Sequence, residues 1–288
     1  MIYDSIIIGS GMAGLTAAIY LARAKKSVLI IEDAVIGGIT ATLDNIENYP
    51  GFTSISGLEL VQNTLSQVSK LGVTIDMMHV ESIDFDKKIL KTDKTTLYYK
   101  TLIIASGTSY KALNLKEESD YKFKGLSYCA VCDGNLYRNK KIVVVTDGYS
   151  ANESINYLSN LTKDIVIIDK GNKYKNINFK VFSNSTIIKI NGKPFVESVD
   201  VKNDNNEIMN VECAGIFVSL GKETNLDLYK DEIEVSDNYI ISDEDMHTNI
   251  EGVFVAGDIR KKSLRQIVTA CADGAIAGTE AIKFLSKI

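Results

Sequence analysis

Cys129 and Cys132, separated by two residues and followed directly by Asp133, are the side chains whose types and spacing point most directly to chemistry. Two intervening residues permit a small disulfide ring, and an adjacent carboxylate can move protons as thiolates form and disappear. The segment Ser127-Tyr128-Cys129-Ala130-Val131-Cys132-Asp133-Gly134 therefore reads as a redox pair with its own acid/base. A zinc centre would need two more ligands at suitable spacing, and Cys213, Cys271, His79 and His247 are scattered singly, so no metal is expected. Cys213, in an apolar strand, and Cys271, in a small-residue helix, read as ordinary core thiols.

A second set of residues points to a nucleotide. Gly9-Ser10-Gly11-Met12-Ala13-Gly14 follows a β-rich run from Ile2 to Ile8 and opens a helical stretch, Leu15 to Lys25. A further apolar strand, Ser27 to Ile31, comes next. In such a unit the first glycine makes the tight turn, the second lets the backbone approach a pyrophosphate, and the third lets the helix pack on the strand. The pyrophosphate sits at the helix N-terminus, where free N–H groups favour an anion. Glu32, 23 positions after Gly9, closes the second strand where a carboxylate can accept hydrogen bonds from a ribose. The motif predicts a dinucleotide and does not choose between FAD and NAD.

The elements that must position these residues fit in 288 residues, enough for two domains or one large one. Hydrophobic residues at 45% and charged residues at 24% exclude a disordered chain or a membrane bundle. A net charge of −5, from 37 acidic and 32 basic residues, is too mild to draw the whole surface to nucleic acid or an anionic membrane. The apolar stretch from Ser5 to Ala22 has Asp4 before it and three glycines inside it, so it is not read as a leader or a span. The expected location is cytoplasmic.

The glycine motif joins four further blocks: Glu47-Asn48-Tyr49-Pro50-Gly51-Phe52, Ala105-Ser106-Gly107-Thr108, Cys129-Ala130-Val131-Cys132-Asp133-Gly134, and Gly252-Val253-Phe254-Val255-Ala256-Gly257-Asp258 followed by Arg265-Gln266. In order and spacing they resemble low-molecular-weight thioredoxin reductases over nearly the whole chain. The resemblance implies an α/β fold with two Rossmann-like, three-layer nucleotide-binding domains, the second inserted in the first. It places an FAD-binding domain in residues 1–113 and 244–288 and a central domain, carrying the C-x-x-C, in residues 114–243. It also implies a homodimer with thioredoxin as partner. Carried over by position, Gly9, Ser10, Gly11, Met12, Ala13, Gly14, Glu32 and Asp33 hold the ADP half of FAD, and Val80 faces the adenine. Gly38, Ile39, Thr40 and Asn48 line the path to the flavin, with Ile39 standing where the family has glutamine. Ala105 and Gly107 join this set. Asp258 binds the ribityl or pyrophosphate region, and Arg265, Gln266 and Ile267 lie by the isoalloxazine. By the same resemblance Cys132 faces the flavin, Cys129 attacks thioredoxin's disulfide, and Asp133 is the acid/base.

The central domain departs from the family. Its scaffold is expected as a strand, Lys141 to Val145, a helix, Ser150 to Leu161, and a second strand, Asp164 to Ile168. The family's Gly-x-Gly-x-x-Ala turn is replaced by Thr146-Asp147-Gly148-Tyr149-Ser150-Ala151. A β-branched threonine resists special backbone angles. A carboxylate about 4 Å from a pyrophosphate costs roughly 1 to 4 kcal/mol at effective dielectrics of 80 to 20. The family's His-Arg-Arg clamp for the NADPH 2′-phosphate is replaced by Asp169-Lys170-Gly171, an acid that suits NADH instead. Loss of both features resembles the ferredoxin-dependent flavin thioredoxin reductases, which implies ferredoxin as donor. The basic group Arg260, Lys261, Lys262 and Arg265 offers a dock for an acidic ferredoxin. The rival readings are an NADH-dependent thioredoxin or peroxiredoxin reductase using Asp169, a flavin redox sensor without turnover, and a related ferredoxin–NADP reductase, which fits poorly because it has no cysteine pair.

Overall fold

The computed structural model describes every residue except Met1, Asp44, Phe123, Tyr149, Ser150, residues 175–177 and Lys230, and of Cys132 it describes the backbone alone. Two compact units emerge, one from residues 1–109 with 224–288 and the other from residues 110–223.

The first unit is built on runs of β-branched and leucine side chains. Ile6, Ile7, Leu29, Ile30, Leu102 and Ile103 are all 0% exposed, which is the signature of parallel strands covered on both faces. The sheet runs in the order Thr74–Met77, Val28–Glu32, Ile2–Ile8, Thr96–Ile104, Ile89–Thr92, Val80–Asp84, and Val253–Val255 adds parallel to Thr96–Ile104. Ile6 is in register with both Leu29 and Leu102, so the strand before the glycine motif lies at the centre. Helix α1 (Met12–Arg23), α2 (Gly57–Lys70) and a C-terminal helix, Ile267–Leu285, supply the helical elements. The C-terminal helix packs on α1 with backbones nearly touching. A side chain at Gly274 would collide with the carbonyl of Ala13, and one at Gly278 would come within 2.9 Å of the carbonyl of Ala17. This close seating explains the small residues of that segment.

The chain returns to the first unit at Thr224, earlier than the 244 expected from sequence. Tyr229, Ile233 and Ile240 decide the difference, because they are buried in one apolar cluster with Ile6, Ile8 and Val255.

The second unit has three layers. Its parallel sheet runs Lys180–Ser183, Ile165–Asp169, Ile142–Thr146, Gly215–Ser219, Leu126–Ser127. One face, through Ile142, Val144 and Ile167, packs on Ile155 and Leu158 of the helix Asn152–Ser159. The other face, through Val143, Val145 and Ile168, packs on an antiparallel sheet of Thr186–Asn191, Ser198–Lys202 and Ile208–Glu212. Strict alternation along each strand assigns the two faces. Among the described residues no helix is long and apolar enough to cross a membrane.

Candidate functional site

The glycine motif of the first unit forms a cradle in which each glycine has a different reason to be glycine. Gly9 has φ +103°, and a β-carbon there would strike the carbonyl of Ala105, so the turn tolerates no side chain. Gly14 is pressed against the carbonyl of Gly9, which sets α1 on its strand. At Gly11 a β-carbon would meet nothing within 4 Å, so this is the open side of the loop, where a ligand can approach the backbone. Gly11 is also the N-cap of α1, with no side-chain cap bond and no acidic residue in the first turn. The first N–H groups of the helix therefore face that opening, as an anion requires. Met12 and Ala13 are buried at the start of α1.

Glu32 is only 9% exposed and holds the loop together. Its Oε2 accepts from the Ser10 backbone N–H at 2.8 Å and from the Ser10 hydroxyl at 2.6 Å. Its Oε1 accepts from the N–H groups of Asp33 and Ala34 at 3.1 and 2.9 Å. The Gly37 N–H donates to the Ser10 carbonyl at 3.1 Å, and a β-carbon at Gly38 would lie 3.6 Å from Gly11 Cα, so the 37–40 turn belongs to the same cradle. Thr40 is buried within it and Ile39 is half-buried. Asp33 sits at the exposed rim with His79, Nδ1 to Oδ2 3.0 Å, a histidine that sequence reading treated as ordinary. Val80, expected at the adenine, belongs to the core with Met78 and Leu90.

Asn48 and Gln266 lie 218 positions apart and meet through a 3.1 Å bond from Nδ2 to Oε1. Gln266 is the N-cap of the C-terminal helix, in a capping box with Thr269, and Ile267 is the helix's first residue. Beside Ala105, Gly107 faces open space, and the Thr108 hydroxyl is buried without a hydrogen-bond partner among the described residues. The open backbone at Gly11, the uncapped helix and this orphaned hydroxyl fit an elongated dinucleotide such as FAD.

The basic group expected to be a dock is internally neutralised. Arg260 is 8% exposed and pairs through NH1 with Asp273 Oδ1 at 3.0 Å, and Lys262 Nζ lies 2.8 Å from Asp273 Oδ2. Asp273 Oδ2 also accepts from the Gly257 N–H at 3.0 Å. Lys262 lies 3.8 Å from Asp258, and Lys261 pairs with Asp237 at 3.0 Å. Arg265 stacks on Tyr239 at 3.7 Å and donates to the carbonyls of Asp258 and Arg260, so it braces the 257–260 loop. These cations hold the loop that carries Asp258, and the sequence reading of a free basic patch is corrected.

In the second unit, Cys129 is disulfide-bonded and Cys213 is a free thiol; Cys271, on the C-terminal helix of the first unit, is also free. The side chain of Cys132 lies outside the described residues. Cys129 follows the two-residue edge strand Leu126–Ser127 and precedes the single helical turn Ala130–Asp133. Asp133 donates its N–H to the Cys129 carbonyl at 3.1 Å, and its Oδ2 accepts from the Ser127 hydroxyl at 2.6 Å. Val131 and Leu136 are 67% and 65% exposed. Among the described residues, no group of three or more His, Cys, Asp or Glu could hold a metal ion.

Cys213 is 4% exposed, and burial pushes its thiol up to about 12. At pH 8 its thiolate fraction is then about one in ten thousand. Native protein treated with iodoacetamide at that pH should stay unmodified at Cys213 by peptide mass mapping. Alkylation there within minutes would contradict this burial.

At the start of the second nucleotide-type turn, Thr146 and Gly148 bond to each other. The Thr146 hydroxyl, 0% exposed, donates to the Gly148 carbonyl at 2.7 Å and accepts from its N–H at 3.0 Å. The Lys173 stem lies over Gly148, so a β-carbon there would come within 3.1 Å of it. Asp169 is 0% exposed, and its oxygens accept from the N–H groups of Gly171 and Tyr174 at 3.0 and 2.6 Å. Tyr149 and Ser150 of that turn are outside the described residues.

Residues 3–274 match the family described as pyridine nucleotide-disulphide oxidoreductase. A thioredoxin reductase of Peptoclostridium acidaminophilum is 38% identical over 99% of this chain and 97% of its own length. The crystal structure of thioredoxin reductase from Streptococcus pyogenes is 35% identical with a TM-score of 0.87, covering 100% of this chain and 99% of that one. A ferredoxin-flavin thioredoxin reductase structure from Clostridium acetobutylicum is 28% identical with a TM-score of 0.57, covering 100% and 99%. The chain belongs to the pyridine nucleotide-disulphide oxidoreductase family, in its low-molecular-weight thioredoxin reductase branch, whose members are FAD flavoproteins.

Proposed function

We propose that this protein is an FAD-dependent thioredoxin reductase that takes its electrons from ferredoxin and needs no nicotinamide nucleotide. The observation that carries the choice of donor is the closure of the second nucleotide fold. Asp169, the acid that could have served an NADH ribose, is fully buried and caps its own loop. Thr146 locks the turn that a pyrophosphate would have to enter. These contacts support a donor other than a nicotinamide nucleotide.

In the proposed cycle the cradle around Gly9, Gly11 and Gly14 holds the ADP half of FAD, and the Asn48, Asp258 and Gln266 region lies along the rest of it. FAD, when bound, supplies the conversion of single electrons into a pair. The pair reduces the disulfide joining Cys129 to Cys132, Asp133 handles the protons, and the rim at Val131 and Leu136 meets thioredoxin. An exposed apolar row on the C-terminal helix and the turn before it, Leu264, Val268 and Ile276, supports the proposed homodimer.

Anaerobic mixing separates the donors. Micromolar NADPH or NADH should leave the flavin absorbance unchanged over minutes, while photoreduced ferredoxin should bleach it. Rapid bleaching by either nucleotide would overturn the ferredoxin reading. Bleaching by ferredoxin with no thioredoxin reduced would instead identify a redox sensor.

A further inference from the structure

Outside the cysteines and Asp133, one hydroxyl bonds to both Cys129 and Asp133. Ser127 is 5% exposed, on the edge strand set in register with Ile216 and Phe217. Its Oγ lies 2.6 Å from Asp133 Oδ2, 3.1 Å from the Cys129 N and 3.2 Å from the Cys129 carbonyl. A hydroxyl has one proton to give. The carboxylate is the closer and the charged acceptor, so the proton goes there, and the oxygen's lone pair receives the Cys129 N–H.

We propose that Ser127 is a positioning residue for the thiol–disulfide chemistry, holding the Asp133 carboxylate against the Cys129 turn so that protons are exchanged at fixed geometry. The inference rests on the disulfide reductase reading given above. Tyr128 makes it testable. Its hydroxyl donates to Glu118, which is 6% exposed and also accepts from the N–H groups of Leu113, Asn114 and Leu115. Its ring stacks on Tyr110 at 5.6 Å. This second anchor, adjacent to Cys129, survives removal of the Ser127 hydroxyl. A Ser127→Ala variant therefore reports on the hydroxyl and not on collapse of the loop.

The experiment compares wild type, Ser127→Ala, Ser127→Thr, Asp133→Asn and the Ser127→Ala/Asp133→Asn pair. Holoenzyme reduced by dithionite and desalted is mixed with oxidised thioredoxin in a stopped-flow instrument, and reduction of the oxidised enzyme's disulfide by dithiothreitol is measured in parallel by alkylation and mass spectrometry. Ser127→Ala should slow both reactions about tenfold, as loss of a partner that orients a reacting group does. The half-saturating thioredoxin concentration and the melting temperature should stay unchanged. Ser127→Thr should recover to within about twofold, because it keeps the hydroxyl, and Ser127→Ala should add nothing once Asp133 is Asn. Wild-type rates in Ser127→Ala, equal losses in the Ala and Thr variants, or full additivity with Asp133→Asn would each overturn the proposal. If wild type fails with thioredoxin, the thioredoxin reading falls, and the dithiothreitol reaction still decides the role of Ser127.

Discussion

Replacing Cys129 by serine leaves the flavin reducible by its donor and takes thioredoxin reduction down to the rate seen without enzyme. In the proposed cycle the Cys129 thiolate attacks one sulfur of the thioredoxin disulfide. A Cys129–thioredoxin S–S bond forms, the thioredoxin S–S bond breaks, and the leaving thiolate takes a proton. The Cys132 thiolate then attacks Cys129 sulfur, closing the enzyme disulfide and releasing reduced thioredoxin. Two electrons pass from the enzyme dithiol to the partner, and the balance is complete. A serine hydroxyl cannot form the mixed disulfide, so the loss is total and not graded. Cys132→Ser should behave differently. It retains the attacking thiol and lacks the resolving one, so mixing the reduced variant with oxidised thioredoxin should trap a covalent adduct on a non-reducing gel. Turnover by Cys129→Ser at the wild-type rate would reject the assignment, and so would an adduct formed by Cys129→Ser and absent from Cys132→Ser.

Asp273→Asn should destabilise the first unit by about 3 to 5 kcal/mol, the usual cost of removing one partner from a buried ion pair. Asp273 is 6% exposed and receives Arg260, Lys262 and the Gly257 N–H on its two oxygens. The amide keeps the shape and removes the charge, leaving two cations in a buried setting, with Asp258 at 3.8 Å from Lys262 as the nearest remaining anion given by the ion pairs. For a unit of this size the melting temperature should fall by roughly 6 to 20 °C. Because the loop held by Asp273 carries Asp258, which the proposed cycle places along FAD, flavin fluorescence should appear at lower temperature than in wild type. Replacing all three charges together, as Asp273→Leu with Arg260→Met and Lys262→Met, should recover much of the loss, since no uncompensated charge is then buried. A melting temperature for Asp273→Asn within about 2 °C of wild type would refute this account of the network.

Much of this molecule is legible along the chain. Contiguous β-branched runs such as Ile6-Ile7-Ile8 and Leu29-Ile30-Ile31 become central parallel strands, because covering both faces of a sheet requires uninterrupted apolar sequence. Gly9, Gly11 and Gly14 occupy the turn, the open approach and the helix seat that their spacing implies. These are local matters. Backbone angles, the absence of a β-carbon and the alternation of faces belong to a few adjacent residues, so adjacent residues reveal them.

Charge and boundary questions are of another kind. Arg260, Lys261, Lys262 and Arg265 look like a free basic patch until Asp273 and Asp237 are seen beside them. Asp169 stands at the right distance along the chain for a ribose and is turned inward to cap Gly171 and Tyr174. Residues from Thr224 onward return early to the first unit because Tyr229, Ile233 and Ile240 find a core there. Ser127, unremarked beside two cysteines, proves to be the hydroxyl between Asp133 and the Cys129 amide. Sequence by itself determined the two nucleotide-type scaffolds, the glycine turn and the C-x-x-C spacing. Tertiary structure alone decided which charges are free and which side chains hold the reactive ones, because an electrostatic partner is chosen by distance in space, and the chain can bring that partner from any position.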